Sequence, residues 1–264
     1  MFLARYTRKA ETQHEDKSQK LLFVTIGYKK SPKPSIWFLF IIGTLTISAV
    51  YAMSTRIIIA DDHPLFRNAL CQAVKQVVTD ADILECDSID SLESLLSTQN
   101  DVDLILLDLR MPGANGFSGL VLIRGQYPDI PVVVISASDD HTIMQRAMEY
   151  GVSGFIPKAS DLSQIAAALQ TILNGSLWLP THLPQATDNT ERAFAQRLKT
   201  LTPQQLRVFM MLTKGLLNKQ IAGEVNVSEA TVRTHMTAIF RKLGVRNRTQ
   251  AVLAAGYLNI EEPS

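Results

Sequence analysis

From position 56 onward the apolar residues follow a repeating order: a short run, then a longer stretch with apolar positions three and four apart, then another run. The runs at 56–60, 83–86, 104–107, 131–135 and 154–156 are rich in Ile, Leu and Val, the pattern of strands buried on both faces. Between them, residues 64–78 place Leu65, Phe66, Leu70, Val74 and Val77 on one helical stripe, and Ile89, Leu92, Leu95 and Leu96 form another. Five such units predict an α/β fold with a doubly wound, five-stranded parallel sheet, its last helix spanning 161–173 before Asn174-Gly175. Residues 176–199 contain Pro180, Pro184 and many polar residues and read as a linker. Beyond position 200 the periodicity is helical only, which predicts a small all-α domain over 200–264.

Doubly wound sheets bind ligands beyond the carboxyl ends of their strands. Two runs end there on carboxylates: Ile57-Ile58-Ile59-Ala60 on Asp61-Asp62, and Leu104-Ile105-Leu106-Leu107 on Asp108. The fourth run ends in Ser136-Ala137 and the fifth in Pro157-Lys158, which adds a hydroxyl and an ammonium to the same edge. An Asp nucleophile attacking phosphorus needs a cation against anion repulsion, a second positive group and a donor for the product. Asp61, Asp62 and Asp108 suit Mg²⁺, Lys158 the neutralising role and Ser136 the donor. Singly, each has a plain explanation as a turn residue, a helix cap or a solvated charge. Together at the ends of four strands they point to one site.

Charge divides the chain in two. Residues 55–175 hold 7 Lys/Arg against 16 Asp/Glu, a net −9, whereas 199–250 hold 9 against 2, a net +7. An acidic, metal-handling half joined to a basic half points to a polyanion partner for the latter, and nucleic acid is the commonest. Cys71 and Cys86 are the only cysteines, too few for a disulfide framework or a cysteine metal site, and both read as buried thiols of a reducing cytoplasm.

Residues 1–54 form an extension that shares no pattern with the rest of the chain. Its run at 36–53 is 18 residues without charge, preceded by Lys29, Lys30 and Lys33. Three readings are open: a membrane anchor, an export signal ending near Val50-Tyr51-Ala52, or an over-long start with Met53 as the true first residue. Export would part both domains from their partners, so the expected location is cytoplasmic.

Within the basic segment, Thr202-Pro203-Gln204-Gln205 reads as an N-cap, a Pro at the first helical position and a capping-box Gln, opening a helix that runs to Lys214. Asn218 is the expected cap of a second helix and Ser228 of a third, with Glu229 favourably placed at its start. In the third, Val232, Met236, Ile239, Phe240 and Leu243 share one face, while Arg233, Thr234, Thr237 and Arg241 share the other. One face packs and the other reads bases, as a helix-turn-helix requires.

The blocks Ile59-Ala60-Asp61-Asp62-His63-Pro64, Leu107-Asp108-Leu109-Arg110-Met111-Pro112-Gly113, Ile135-Ser136-Ala137 and Gly154-Phe155-Ile156-Pro157-Lys158 make residues 55–175 resemble the flavodoxin-like receiver domain of two-component response regulators. The resemblance implies phosphorylation of Asp108 by a sensor histidine kinase, Mg²⁺ held by Asp61, Asp62 and Asp108 with the Arg110 carbonyl, and a switch coupling Ser136 to Phe155. Burial of Phe155 is expected when Ser136 engages phosphate. In one departure, Pro157 precedes Lys158, where the family often has a Pro after the Lys.

Similarly, Gly215-Leu216-Leu217-Asn218-Lys219-Gln220-Ile221-Ala222, Val227-Ser228-Glu229-Ala230-Thr231-Val232-Arg233-Thr234-His235 and Arg241-Lys242-Leu243-Gly244-Val245 resemble the four-helix DNA-binding domain of the LuxR and NarL regulators. That likeness implies base contacts from Arg233, Thr234 and Thr237, and phosphate contacts from Lys219, Thr231, His235, Arg241 and Lys242. It also implies a homodimer formed through the fourth helix at 247–258, promoter DNA as the target, and RNA polymerase as a candidate partner. Two alternatives stand beside this reading: a DNA-binding regulator independent of phosphorylation, and an aspartyl phosphatase. Such phosphatases typically carry a second Asp two residues after the nucleophile, where this chain has Arg110.

Overall fold

The computed structural model describes residues 23–25, 37–39, 54–99, 101–179 and 189–260. Strands β1 (Phe23–Thr25) and β2 (Trp37–Leu39) pair antiparallel. The rest of the run at 36–53, with its three readings, lies outside the described residues. Among the described residues no helix is long and apolar enough to cross a membrane.

Strands β3 (Arg56–Ala60), β4 (Asp82–Cys86), β5 (Leu104–Asp108), β6 (Val132–Ser136) and β7 (Gly154–Pro157) form one parallel sheet in the order β4-β3-β5-β6-β7. Successive strand residues point to opposite faces, so each unbroken apolar run supplies two cores at once. Ile57, Ile59, Leu104, Leu106, Val133, Ile135 and Ile156 face helices α1 (Pro64–Val77) and α5 (Leu162–Leu173), burying Leu70, Val74, Ile165 and Leu169. Ile58, Ile105, Leu107, Val132, Val134 and Phe155 face the other way, toward α2 (Ile89–Thr98), α3 (Ser118–Gln126) and α4 (His141–Glu149). Each fully buried Ile or Leu contributes about 2 kcal/mol. Helix starts obey local chemistry: Ser88, Asp140 and Asp161 accept backbone N–H groups of the first turns of α2, α4 and α5.

The second face of the sheet does not end the core. Its apolar cluster continues into the helical domain built from α7 (Pro203–Thr213), α8 (Asn218–Glu224), α9 (Glu229–Leu243), α10 (Arg248–Ala255) and a final 3₁₀ turn, Gly256–Leu258. The span expected to be a plain linker is more ordered than that. Trp178 bridges to Gly154 beside β7, its N–H donating to the Ser153 carbonyl (3.1 Å) and its carbonyl accepting the Phe155 N–H (3.2 Å). Residues Asn189–Leu198 then form helix α6, which buries Phe194, Ala195 and Leu198. That stripe is only three residues wide, and the prolines and polar residues before it conceal it in composition. A smaller correction concerns α8, whose N-cap is Leu217 and not Asn218. The Leu217 N–H is received by Gln220 Oε1 at 2.8 Å, so a residue inside the helix does the capping.

Candidate functional site

The sheet register brings the chemistry together. Ala60 pairs with Leu107, Asp108 with Ile135 and Ser136 with Pro157, so β3, β5, β6 and β7 end level and the next residues share one edge. Among the described residues, the buried polar residues are Asp61, Asp108 and Ser136, all at this edge. A buried unpaired carboxylate costs several kcal/mol. Lys158 offsets it for both: its Nζ lies 2.7 Å from Asp61 Oδ2 and 2.8 Å from Asp108 Oδ2. Burial pulls this ammonium's pKa down, but hydrogen bonds and charge from Asp108 and Asp61 outweigh burial and leave the pKa raised, which keeps the cation charged. The Lys158 N–H donates to the Ser136 carbonyl at 2.6 Å, so the residue following Pro157 still delivers its ammonium to the pocket.

Asp108 is held on its other side by the Arg110 N–H, 3.1 Å from Oδ1. Asp62 is half-buried at the rim, and His63, absent from the sequence expectation, joins the cluster with Nδ1 2.7 Å from Asp62 Oδ1. Asp61, Asp62, His63 and Asp108 offer four ligand atoms within 4.8 Å of one another. Asp61 Oδ2 meets the Lys158 ammonium and Asp62 Oδ1 the His63 imidazole, and the converging carboxylate oxygens form a donor set that fits a divalent cation. Ser136 stands one strand away, its Oγ accepting the Ser138 N–H at 3.2 Å. Phe155 is already buried, at 1% exposure, within the apolar cluster on the α4 side of the sheet. Its expected burial on phosphate engagement therefore has no exposed starting point in this conformation.

At the other end, α8 and α9 form the helix-turn-helix, with Asn226 at positive φ (53°) in the turn and Ser228 Oγ accepting the Thr231 N–H at 3.1 Å. Val232, Met236, Ile239 and Leu243 are buried, and Phe240 packs against them. Thr231, Arg233, Thr234, Thr237 and Arg241 are exposed, as is Lys219 on α8, while His235 is half-buried. Lys242 is engaged internally: its Nζ donates to the Thr200 carbonyl and Gln205 Oε1, both at 2.7 Å, tying α9 to the start of α7. Arg248 likewise donates to the Leu212 and Leu216 carbonyls and closes the end of α7, and Arg197 of α6 donates to Leu243 at the end of α9.

A third set of residues, missed in the sequence, joins the two domains. Arg146 on α4 donates to the carbonyls of Tyr257 and Asn259 (3.0 Å for Asn259), pairs with Glu191 of α6 at 3.4 Å and lies 4.8 Å over the Phe117 ring. The Phe117 N–H donates to the Leu258 carbonyl at 2.8 Å, and Arg207 of α7 pairs with Glu93 of α2 at 3.2 Å. Gly116 and Gly125 allow the approach: a Cβ on Gly116 would strike the Leu258 carbonyl, and one on Gly125 the Leu206 side chain. The only trace in sequence is a cation within the apolar stripe Ile143, Met144 and Ala147.

Comparison with known proteins agrees with both halves. Residues 57–170 match the response regulator receiver domain, and residues 199–255 match the bacterial regulatory proteins of the luxR family. The chain is 44% identical over 209 residues to the glycerol metabolism activator of Pseudomonas putida, covering 76% of this chain and 95% of that protein. It is 31% identical over 205 residues to the nitrate/nitrite response regulator protein NarP of Escherichia coli, covering 75% and 93%. Among solved structures, RcsB from Salmonella enterica serovar Typhimurium bound to a promoter is 21% identical, with a TM-score of 0.47 over 78% of this chain and 100% of that one. With a receiver and a LuxR-type helix-turn-helix in one polypeptide, the chain belongs to the family of DNA-binding response regulators that control transcription.

Proposed function

We propose that Asp108 is the phosphoacceptor and that its phosphorylation by a sensor histidine kinase controls promoter binding through the contacts between the two domains. The observation that carries this reading is the constraint on Asp108: buried at the strand edge, with Oδ1 accepting the Arg110 N–H and Oδ2 against Lys158. In the transfer, an Asp108 carboxylate oxygen forms a bond to phosphorus as the bond from phosphorus to the donor's imidazole nitrogen breaks, and the freed imidazole takes up a proton. Lys158 faces the added charge on the phosphoryl oxygens, and Ser136 donates its hydroxyl to one of them. Asp61, Asp62 and Asp108 would hold a divalent cation, which when bound would supply further positive charge against those oxygens.

Ser136 ends β6 and α4 is the next element, so a change at Ser136 acts on the helix that carries Arg146. Arg146 grips the Tyr257 and Asn259 carbonyls just beyond α10. Docking leaves Arg233, Thr234 and Thr237 exposed, so the receiver restrains α10 and the final turn without covering the base-reading face. Leu253, 72% exposed on α10, suits the homodimer contact that would set two α9 helices one DNA turn apart.

The test measures affinity for duplexes selected from a random pool, with and without Mg²⁺ and a small phosphodonor, for wild type and Asp108→Asn. A donor-dependent gain that the substitution removes is expected. Equal affinity in every condition would leave a DNA-binding protein that phosphorylation does not control.

A further inference from the structure

Strand β3 pairs with edge strand β4 as far as Ala60 and Cys86, so Asp61 is the first residue beyond that ladder. Its N–H still donates to the Cys86 carbonyl, at 3.1 Å. Its carbonyl is held by a side chain: Arg67 Nη1, from the first turns of α1, donates to it at 2.7 Å. The same guanidinium turns its Nε to Glu85 Oε2 on β4, at 2.9 Å. One planar fork thus ties the end of β3 to β4 and to α1.

The consequence lies at the other end of Asp61. With both backbone groups engaged, its carboxylate is aimed at Lys158, Oδ2 lying 2.7 Å from Nζ, and the same ammonium meets Asp108 Oδ2 at 2.8 Å. Asp61 is fully buried, so a displaced carboxylate would leave two charges poorly paired where water cannot replace the partner. Glu85 is 44% exposed, and an ion pair that open contributes little to stability. Its effect is to orient the fork.

We infer that Arg67, oriented by Glu85, is a positioning residue for phosphorylation at Asp108: it fixes the Asp61 peptide and with it the carboxylate that steers Lys158. The inference rests on the reading of Asp108 as the phosphoacceptor. It extends the site to a cation on α1 and a carboxylate on the edge strand, acting on Asp108 through Asp61 and Lys158.

The experiment follows labelling of the full chain by radiolabelled acetyl phosphate with Mg²⁺, in wild type, Arg67→Gln, Glu85→Gln, Asp61→Ala and the Arg67→Gln/Asp61→Ala pair, with thermal melting alongside. A hydrogen bond that supports a site from behind is typically worth about ten- to a hundredfold in activity, so Arg67→Gln should slow labelling by about tenfold and melt close to wild type. Glu85→Gln, which keeps Arg67 but frees it, should slow labelling by less. In the Asp61→Ala background, Arg67→Gln should add nothing. In the metal-free chain, NMR should show the Lys158 ammonium protons exchanging with water faster in Arg67→Gln and Glu85→Gln than in wild type. A wild-type labelling rate in Arg67→Gln would overturn the inference, as would an equal fold-loss with and without the Asp61 side chain, the mark of a general structural effect. Should Arg67→Gln melt early, Glu85→Gln decides, and a wild-type rate there overturns the inference. Equal labelling of wild type and Asp108→Asn would overturn the phosphoacceptor reading itself and the inference with it.

Discussion

Replacing Arg146 by Ala tests the join between the domains most directly. The substitution removes hydrogen bonds from a guanidinium to the Tyr257 and Asn259 carbonyls, a 4.8 Å stack over Phe117 and the pairing with Glu191. A hydrogen bond from a charged group contributes about 1.5–3 kcal/mol and a cation over a ring about 1 kcal/mol. Allowing for water reaching the vacated carbonyls, docking should weaken by about 3 kcal/mol, roughly a 150-fold shift toward the undocked form. Amide hydrogen exchange read by mass spectrometry checks this at Phe117, whose N–H is donated to Leu258 across the interface. Exchange there and at 256–258 should accelerate about a hundredfold while the strands keep their protection. DNA affinity without phosphodonor should rise toward that of the phosphorylated chain. Arg146→Lys keeps the charge but loses the planar fork, so it should fall between. If Arg146→Ala exchanges at Phe117 as slowly as wild type, the docking energy does not reside in this side chain and the proposed route from α4 to α10 is wrong.

Single groups carry the remaining predictions. Arg233→Ala removes a cation from the exposed face of α9, the face proposed to read bases, and should cost about 1–3 kcal/mol of specific DNA affinity in equilibrium titrations; unaltered affinity would sink that assignment. Burial, then the charge of Asp87, pushes the Cys86 thiol up to about 12, so native-state alkylation should label Cys71 first, and prior labelling of Cys86 would contradict the burial. Burial likewise pushes the Tyr150 phenol up from 10.0 to about 12. Its neutral form is favoured by folding, so the folded chain binds the extra proton in this window and stability falls as pH rises from 10 to about 12. Tyr150→Phe should flatten that part of the denaturation profile, and an unchanged slope would show that Tyr150 does not cause it.

The acidic pocket was legible because its residues come directly after strand runs. An apolar run that stops at a carboxylate marks both a strand and its end, and strands that run parallel all turn their carboxyl ends to one edge of the sheet. Asp61, Asp62, Asp108, Ser136 and Lys158 could therefore be placed without any distance. His63 stood in the same block, but its backbone placement as the cap residue of α1, which sets the ring against Asp62, is invisible in the letters. The family resemblance made Lys242 an expected phosphate contact, yet its ammonium is taken by Thr200 and Gln205, 42 and 37 positions away in the chain.

By itself, then, the order of apolar and polar residues determined the five parallel strands, the acidic edge and the two-faced α9, because each arises from periods of two or 3.6 residues and from where a run stops. Tertiary structure alone decided how the domains meet. The Phe117 and Arg146 contacts with the final turn span more than a hundred positions, and the close approach at Gly116 depends on a backbone carbonyl, which carries no sequence signal at all. A pattern of local period encodes which face of an element is apolar, but not which distant surface will cover it.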